Sequence, residues 1–308
     1  MSHTPSPSRR ELLATLGTVG ATVGAGLALG ACAAPQTKTG RTDTNNKAIA
    51  QPDMLDDEIF NFALNLEYME AEYYTRGAYG QGIQERGAPI GRKPGEVNGG
   101  RKVRFSNETH QAYAEELAFN EAAHVRFYHR ILRGQAVDRP EIDFVGGMSA
   151  VFAAAGIVSP GTRVDPFEDE MLFYLGGMLF EDTGITAYRG ASAFITDRTL
   201  LGNAAGVLAV EAYHMGMVRA LLYNMGSEAR EYANKISELR DRLDGPEDLD
   251  QGIEVEGKPN IVPCDSYGVA FARKPRQVAN IVFGKPGANA GGFYPRGLSG
   301  GYDALMAL

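Results

Sequence analysis

Two stretches of the chain combine an apolar helical face with a glutamate and a histidine three residues apart. In residues 114–132 and again in residues 204–222, apolar side chains recur at intervals of three and four, which is typical of the buried face of a helix. The three-residue spacing places the glutamate and the histidine on the same side of each helix. These pairs are Glu121 with His124 and Glu211 with His214.

Two further apolar helical segments each carry a single glutamate. Glu67 lies in FALNLEYMEAEYY and Glu181 in GGMLFEDTGITAY. Each is followed seven residues later by a tyrosine, Tyr74 or Tyr188, two turns along the same face. Along the chain the order is one glutamate, a Glu-x-x-His pair, one glutamate and a second pair. This is the ligand set of a carboxylate-bridged two-metal site inside a four-helix bundle.

The alternative is that the glutamates lie at bundle edges and the histidines are ordinary core residues. That arrangement has a physical cost, because an ionised carboxylate buried without a partner costs several kcal/mol and four facing carboxylates repel one another. Two bound dications remove both penalties. Oxygen and nitrogen ligands in this number suit Fe(II) or Mn(II), so the pattern predicts two Fe or Mn ions as cofactors without choosing between the metals.

Capping and helix-breaking residues set the expected limits of the helices. The four bundle helices are predicted at about 54–79, 106–132, 165–195 and 197–226. Asp165-Pro166-Phe167-Glu168 is typical of a helix start, and Asp197 is a suitable cap for the fourth helix. Additional short helices are predicted at about 148–155, 227–243 and 276–283.

Two regions outside the predicted bundle helices are rich in glycine. Residues 77–105 contain eight glycines and a small basic cluster, and they either cover one end of the bundle or form a solvated loop. The extension 244–308 cannot form its own core, so we expect it to pack on a bundle domain of residues 53–243. The charged segment 227–243 is expected to present a solvated face.

Composition and charge narrow the function classes. The chain has 308 residues, of which 44% are hydrophobic and 22% are charged, which favours one domain with extensions. The net charge is −8 and no basic stripe is present, which argues against a nucleic-acid partner. The two cysteines, Cys32 and Cys264, exclude a disulfide framework, and Cys264 is expected to be a free buried thiol.

The first 32 residues are expected to be a targeting signal. Arg9-Arg10 before the apolar segment 12–31 resembles a twin-arginine export signal, and the sequence Leu-Gly-Ala-Cys32 resembles a bacterial lipoprotein box. These features predict export to the periplasm or cell envelope, with a membrane anchor through lipidation of Cys32 and a flexible tether at 33–52. Ordinary cleavage at Ala31-Cys32-Ala33 and a plain transmembrane anchor are the alternatives.

With these motifs in place, the chain resembles the ferritin-like superfamily and, within it, the bacterial and plant desiccation-related proteins. The segments that carry the resemblance are FALNLEYMEAEYY, VRFSNETHQAYAEELAFNEAAHVRF, Glu181–Tyr188 and the tail RKPRQVANIVFG with GGFYPRGLSGG. The resemblance covers residues 53–302. It implies an all-α, up-down-up-down four-helix bundle with a di-iron or di-manganese centre.

The resemblance also implies a role for each ligand. Glu67 and Glu181 would be terminal carboxylate ligands, with His124 and His214 as terminal imidazole ligands. Glu121 and Glu211 would bridge the two ions. Three further residues, Glu70, Tyr74 and Tyr188, are candidates for hydrogen bonds around the ligands. Glu70 could also replace or supplement Glu67, and packing in the bundle is the alternative role of both tyrosines.

Two functions of different classes remain open from the sequence. The first is redox chemistry on a small oxidant, either peroxide disproportionation as in manganese catalases or ferroxidase chemistry with O2 or peroxide. The second is a non-catalytic protein of the cell envelope that binds metal or protects structurally against desiccation and stress. A homodimer is also possible for bundles of this kind, whereas iron storage in a hollow shell fits poorly with the insert and the tail.

Overall fold

Four long helices pack side by side around a core in which the predicted metal ligands lie. The computed structural model describes residues 52–308. Its α-helices are α1 (Pro52–Tyr79), α2 (Glu108–Leu132), α3 (Phe144–Ala154), α4 (Glu170–Ala191), α5 (Arg198–Asn224), α6 (Ser227–Asp244), α7 (Pro275–Val282) and α8 (Asp303–Met306). Its strands are β1 (Val97–Asn98), β2 (Ile142–Asp143), β3 (Glu254–Val255) and β4 (Lys258–Pro259); β1 pairs with β2 in parallel and β3 with β4 antiparallel. The bundle consists of α1, α2, α4 and α5.

The direction of α4 differs from the prediction. At the end of α1, the Tyr73 hydroxyl donates to the Phe173 carbonyl at the start of α4 (2.8 Å), and at the start of α1 the Asp56 carboxylate accepts from Thr196 N–H after α4 (2.9 Å). Helix α1 is therefore antiparallel to α4. The predicted all-α four-helix bundle is confirmed, but its helices run up-down-down-up, because the long connection 133–169 carries the chain back along the bundle.

Capping side chains explain where the bundle helices begin. Asn107 accepts a hydrogen bond from His110 N–H at the start of α2, and Asp197 caps α5 as predicted. Helix α4 begins later than expected, after Asp169, whose carboxylate accepts from Leu172 N–H. The earlier Asp165-Pro-Phe-Glu sequence forms a turn, since the Asp165 carboxylate accepts from the N–H two residues on.

The glycine-rich insert covers one end of the bundle. Ile83, Ile90 and Val103 are buried, and Val103 N–H donates to the Gly77 carbonyl at the end of α1 (2.8 Å). The insert also supplies β1, which pairs with β2 in the long connection. The alternative of a solvated loop is therefore wrong for these positions. Its apolar side chains join the core of the bundle, and backbone hydrogen bonds also hold the segment in place.

The end of the chain packs on α1 through one asparagine. The Asn65 amide donates to the Ser299 carbonyl (3.0 Å) and to the Tyr302 hydroxyl (2.8 Å). The Tyr294 hydroxyl donates to the Asn65 carbonyl (2.8 Å), and Tyr294 and Phe293 are buried. A buried polar side chain with all these partners fixes the register of the tail along α1.

A chain of buried ion pairs holds α4, α5, α6 and the segment before α7 together. The pairs are Arg219–Asp182 (2.8 Å), Asp182–Arg240 (2.6 Å), Arg240–Asp250 (2.6 Å), Asp250–Arg273 (2.8 Å) and Arg273–Asp244 (2.6 Å). The three arginines are at most 1% exposed. The expected solvated face of residues 227–243 is therefore wrong at Arg240, whose guanidinium is compensated by two buried carboxylates.

Candidate metal centre

The six predicted ligands come together in the middle of the bundle. Helix α1 supplies Glu67, α2 supplies Glu121 and His124, α4 supplies Glu181, and α5 supplies Glu211 and His214. The four glutamates are 0% exposed, and the two histidines are 8% and 3% exposed. The apolar positions on each helix face this interior, so burial of the helix face carries the ligands inward with it.

The side chains form two overlapping groups of four. Within each group, one ligand atom of every residue lies within 4.8 Å of the others. We call the first group the Glu67 position; it consists of Glu67, His124, Glu121 and Glu211. We call the second the Glu181 position; it consists of Glu181, His214, Glu121 and Glu211. Glu121 and Glu211 belong to both groups, as expected for bridging carboxylates.

Both histidines direct Nδ1 at the carboxylates. His124 Nδ1 lies 3.0 Å from Glu211 and 3.2 Å from Glu67. His214 Nδ1 lies 2.8 Å from Glu121 and 3.6 Å from Glu181. His124 Nδ1 also lies 3.4 Å from Glu121, so His124 contacts both shared carboxylates and Glu67, whereas His214 contacts one shared carboxylate and Glu181. In both imidazoles Nδ1 is the atom that faces the carboxylates.

Unpartnered buried atoms show that the residues fit a metal pair. Among the described residues, the buried polar atoms without a hydrogen-bond partner include both carboxylate oxygens of Glu121, Glu181 and Glu211, one oxygen of Glu67 and Nδ1 of both histidines. An unsatisfied buried polar atom costs roughly 1–3 kcal/mol, and more if it is charged. Two dications would satisfy all these atoms at once, and the oxygen and nitrogen donor set suits Fe or Mn.

The electrostatics of the protein without metal favour bound protons. Burial and the neighbouring Glu121 and Glu211 raise the pKa of Glu67 to about 8. Burial lowers the pKa of His214, but Glu181 and Glu121 raise it further, to about 11. The cluster therefore holds protons at neutral pH, and a metal ion would have to displace them.

The two candidate tyrosines lie beside the terminal carboxylates but differ in hydrogen bonding. The Tyr188 hydroxyl donates to Glu67 Oε1 and lies 2.5 Å from the hydroxyl of Tyr128. The buried Tyr74 hydroxyl has no hydrogen-bond partner among the described residues. The sequence reasoning missed Tyr128, although its position seven residues after Glu121 repeats the spacing of the other two tyrosines.

Glu70 is buried next to the centre but belongs to neither group of four ligands. Its side chain borders a small cavity of about 10 Å³ together with Thr183 and Gly184. A Cβ atom on Gly184 would lie 3.2 Å from Glu70 Oε1 and 3.5 Å from Glu211 Oε2. Burial and the surrounding glutamates raise the pKa of Glu70. The absence of a side chain at Gly184 thus leaves room for Glu70 beside a shared carboxylate.

Two contacts around the ligands were not predicted. The Asn120 amide lies 3.2 Å from His214 Nε2, on the ring edge away from the carboxylates. Asp182, the residue after Glu181, pairs with Arg219 of α5. Asn120 directly precedes Glu121, but a single asparagine on a half-buried helical position is too common to identify such a role from sequence.

Cys264, the cysteine within the described residues, belongs to neither metal group. Cys264 is free but half-buried rather than buried as predicted, because it lies in the rim of a cavity of about 150 Å³ beside Asp182 and Arg273. Cys32, the predicted lipidation site, and the predicted export signal lie outside the residues that the structure describes.

Comparison with known proteins agrees with this geometry. Residues 55–224 match the family described as ferritin-like domain. The chain is 30% identical over 239 residues to the desiccation-related protein PCC13-62 of Craterostigma plantagineum, covering 72% of this chain and 75% of that protein. It is 26% identical over 279 residues to the ferritin-like catalase Nec2 of Nesocodon mauritianus, covering 84% and 86%. No solved structure matches the chain. Because the family match spans more than half of its length and includes all six candidate ligands, the chain belongs to the ferritin-like domain family.

Proposed function

We propose that this protein is an exported stress-related metalloprotein whose buried pair of Fe or Mn ions carries out redox chemistry on peroxide or O2. One observation carries the proposal: the unpartnered carboxylate oxygens and imidazole nitrogens of six residues converge on two adjacent positions. A relative named a ferritin-like catalase supports the redox class, and a relative named a desiccation-related protein supports the link to stress.

When bound, an iron or manganese pair supplies two one-electron steps that act together. In peroxide disproportionation, one H2O2 is oxidised to O2 with loss of two electrons and two protons, and a second H2O2 takes them up to give two H2O. Glu67, Glu181, the two histidines and the shared carboxylates would hold the ions, and the apolar bundle excludes bulk water. Tyr188 orients Glu67 by donating a hydrogen bond to its Oε1.

A second function is favoured by the enclosure of the centre. Its glutamates are completely buried, and the largest exposed fraction of a ligand side chain is the 10% of His124. Such a centre can serve as a non-catalytic metal site that stabilises an envelope protein during desiccation. The two functions share the metal ligands and differ only in turnover.

Export, anchoring and assembly belong to the same proposal. The twin-arginine motif and Cys32 support a lipid-anchored protein of the periplasm or cell envelope. Metabolic labelling with a fatty acid, compared between the natural chain and Cys32→Ser, tests the anchor. Size-exclusion chromatography with light scattering tests the proposed homodimer.

The decisive experiment is elemental analysis of natively exported protein beside a Glu121→Gln/Glu211→Gln variant. We expect about two Fe or Mn per chain, lost in the variant. The matched control is Glu116→Gln/Glu228→Gln, which removes two exposed glutamates and should keep the metal. Peroxide and Fe(II) turnover by the loaded protein supports the redox function, whereas loaded protein without turnover supports the second function. A folded natural protein that contains no metal overturns both.

A further inference from the structure

The two halves of the metal centre are related by an approximate two-fold repeat. Helices α1 and α2 correspond to α4 and α5, and the antiparallel arrangement of α1 with α4 places the repeat axis across the bundle. The corresponding residues are Glu67 with Glu181, Glu121 with Glu211, and His124 with His214. Any pair of corresponding residues that differs therefore makes the two metal positions different.

The first difference lies behind the histidines. The residue before the shared glutamate is Asn120 in α2 and Val210 in α5. The Asn120 amide nitrogen, Nδ2, lies 3.2 Å from His214 Nε2, whereas no hydrogen bond to His124 Nε2 is found among the described residues. The tautomer that leaves Nδ1 free for a metal carries its proton on Nε2, and a half-turn of the Asn120 amide about its Cβ–Cγ bond would then present Oδ1 as the acceptor. Such a partner orients an imidazole ligand and raises its basicity.

The second difference lies at the terminal carboxylates. Glu67 accepts a hydrogen bond from Tyr188 at Oε1, so only its Oε2 is unpartnered, whereas both oxygens of Glu181 are unpartnered. Tyr188 is held by Tyr128, and the residue that corresponds to Tyr128 in the other half is Val218. A metal at the Glu181 position therefore has one more free carboxylate oxygen available than a metal at the Glu67 position.

The third difference lies in the contacts that join the helices of each half. In each half, one contact joins the two helices at the same place. The residue that follows the terminal glutamate on the first helix contacts the residue five positions after the histidine on the second. In one half this contact is the buried ion pair of Asp182 with Arg219 (2.8 Å), and in the other it is a hydrogen bond between Tyr68 and the partly exposed His129 (2.5 Å). Asp182 is also paired with Arg240 of α6, so a buried charged network holds the helices of this half where the other half has one hydrogen bond.

We propose that the two metal positions are inequivalent, that the Glu181 position binds its ion more tightly, and that Asn120 is the positioning residue that orients His214 there. The inference rests on the proposed two-metal site. All three differences, in the imidazole, in the carboxylate and in the helix packing, favour tighter metal binding at the Glu181 position. The ion at the Glu67 position is then the exchangeable one, and its ligand His124 is the more exposed of the two histidines (8% against 3%).

The experiment is calorimetric titration of the metal-free full-length protein with Mn²⁺. We expect two binding steps whose dissociation constants differ by at least about tenfold. Glu67→Gln should abolish the weaker step and keep the tighter one, and Glu181→Gln should do the reverse. These two variants form a matched pair, because each removes one terminal carboxylate at a corresponding place.

Variants behind the histidines test the positioning role. Asn120→Val makes the two halves alike and should weaken the tighter step by about 10- to 100-fold, while Asn120→Asp, which still accepts a hydrogen bond, should keep it. Val210→Asn is the reciprocal change and should strengthen the weaker step. The melting temperature of each metal-free variant separates a folding defect from a binding defect.

The outcomes separate this inference from the proposed function. Two equal steps in the natural protein, or an unchanged tighter step in folded Asn120→Val, overturn the inference and leave the two-metal site intact. Loss of the tighter step in Glu67→Gln rather than in Glu181→Gln also overturns it. A complete absence of Mn²⁺ binding by the folded natural protein overturns the two-metal site itself.

Discussion

Protons and metal ions would compete for the same buried atoms at the centre of the bundle. The pKa of Glu67 is raised to about 8 and that of His214 to about 11, so both groups are protonated at neutral pH in the absence of metal. Binding of a dication must release these protons. A rise in pH removes the competition, so metal affinity increases with pH up to these pKa values.

The corresponding measurement is the Mn²⁺ dissociation constant at about pH 6 and about pH 8 in buffers of different ionisation enthalpy. We expect binding to be at least about tenfold tighter at the higher pH, since each proton released contributes about a factor of ten per pH unit. The calorimetric heat should depend on the buffer because protons are released. A constant affinity, or tighter binding at the lower pH, would contradict the assignment.

Tyr188 and Tyr74 occupy corresponding places but should respond differently to removal of the hydroxyl. Tyr188→Phe removes the hydrogen bond to Glu67 and leaves Tyr128 without its partner. We expect the free energy of unfolding of the metal-free protein to fall by roughly 1–3 kcal/mol, measured by urea denaturation, because buried polar groups lose their partner. Tyr74→Phe is the matched control and should cost little, because its hydroxyl has no hydrogen bond to lose. Equal losses in both variants would contradict this account.

At the residue scale, the sequence identified the candidate ligands because each is a polar side chain on an otherwise apolar helical face. A glutamate such as Glu181 on an apolar helical face signals a partner, so the six candidate ligands could be named in advance and the structure brings them together. Asn120 carries no such conflict, because asparagine is ordinary at a half-buried helical position. Asn120 contacts His214 only because α5 packs beside α2, and no local sequence pattern in α2 predicts that packing.

At the scale of the secondary-structure elements, the buried ion pairs make a single arginine important for several helices. Arg240 of α6 pairs with Asp182 of α4 and with Asp250. Arg240→Met leaves both carboxylates without this partner in a buried place. We expect the free energy of unfolding to fall by about 3–5 kcal/mol. Urea denaturation of the metal-free protein is the measurement.

A control on the same helix distinguishes this effect from a general loss of charge. Lys235 of α6 pairs with Glu231 on the surface (2.7 Å). Lys235→Met should change the free energy of unfolding by less than about 0.5 kcal/mol, because an exposed pair of this spacing contributes little. A similar small effect of Arg240→Met would show that the ion-pair chain does not hold α6 in place.

Local sequence patterns predicted the limits of the helices but not how the helices are arranged. Local rules placed the long helices within a few residues, and the Asp197 cap lies where it was predicted. The direction of α4 and the burial of Arg240 could not be obtained in this way. Both depend on how the connection 133–169 and the segment around Asp250 return to the bundle, and these segments are held by long-range contacts rather than by periodicity.

At the scale of the whole molecule, metal binding should stabilise the native state alone. The ligands come from four helices, so an unfolded chain cannot present them together. We expect Mn²⁺ at a concentration 100 times the dissociation constant to raise the free energy of unfolding by about 2.7 kcal/mol. The shift in melting temperature measures it, and Glu121→Gln/Glu211→Gln should show no shift. An equal shift in this variant would place the bound metal elsewhere.

The shared carboxylates come from different halves of the chain, so a metal site is complete only when all four bundle helices are present. The Glu67 position needs Glu211 from α5, and the Glu181 position needs Glu121 from α2, so neither half of the molecule contains a full ligand group. An N-terminal fragment that ends before α5 would offer only incomplete sites. During synthesis, a metal ion could then be retained only after the last bundle helix has docked, and a loaded molecule would be one in which both halves have already been assembled.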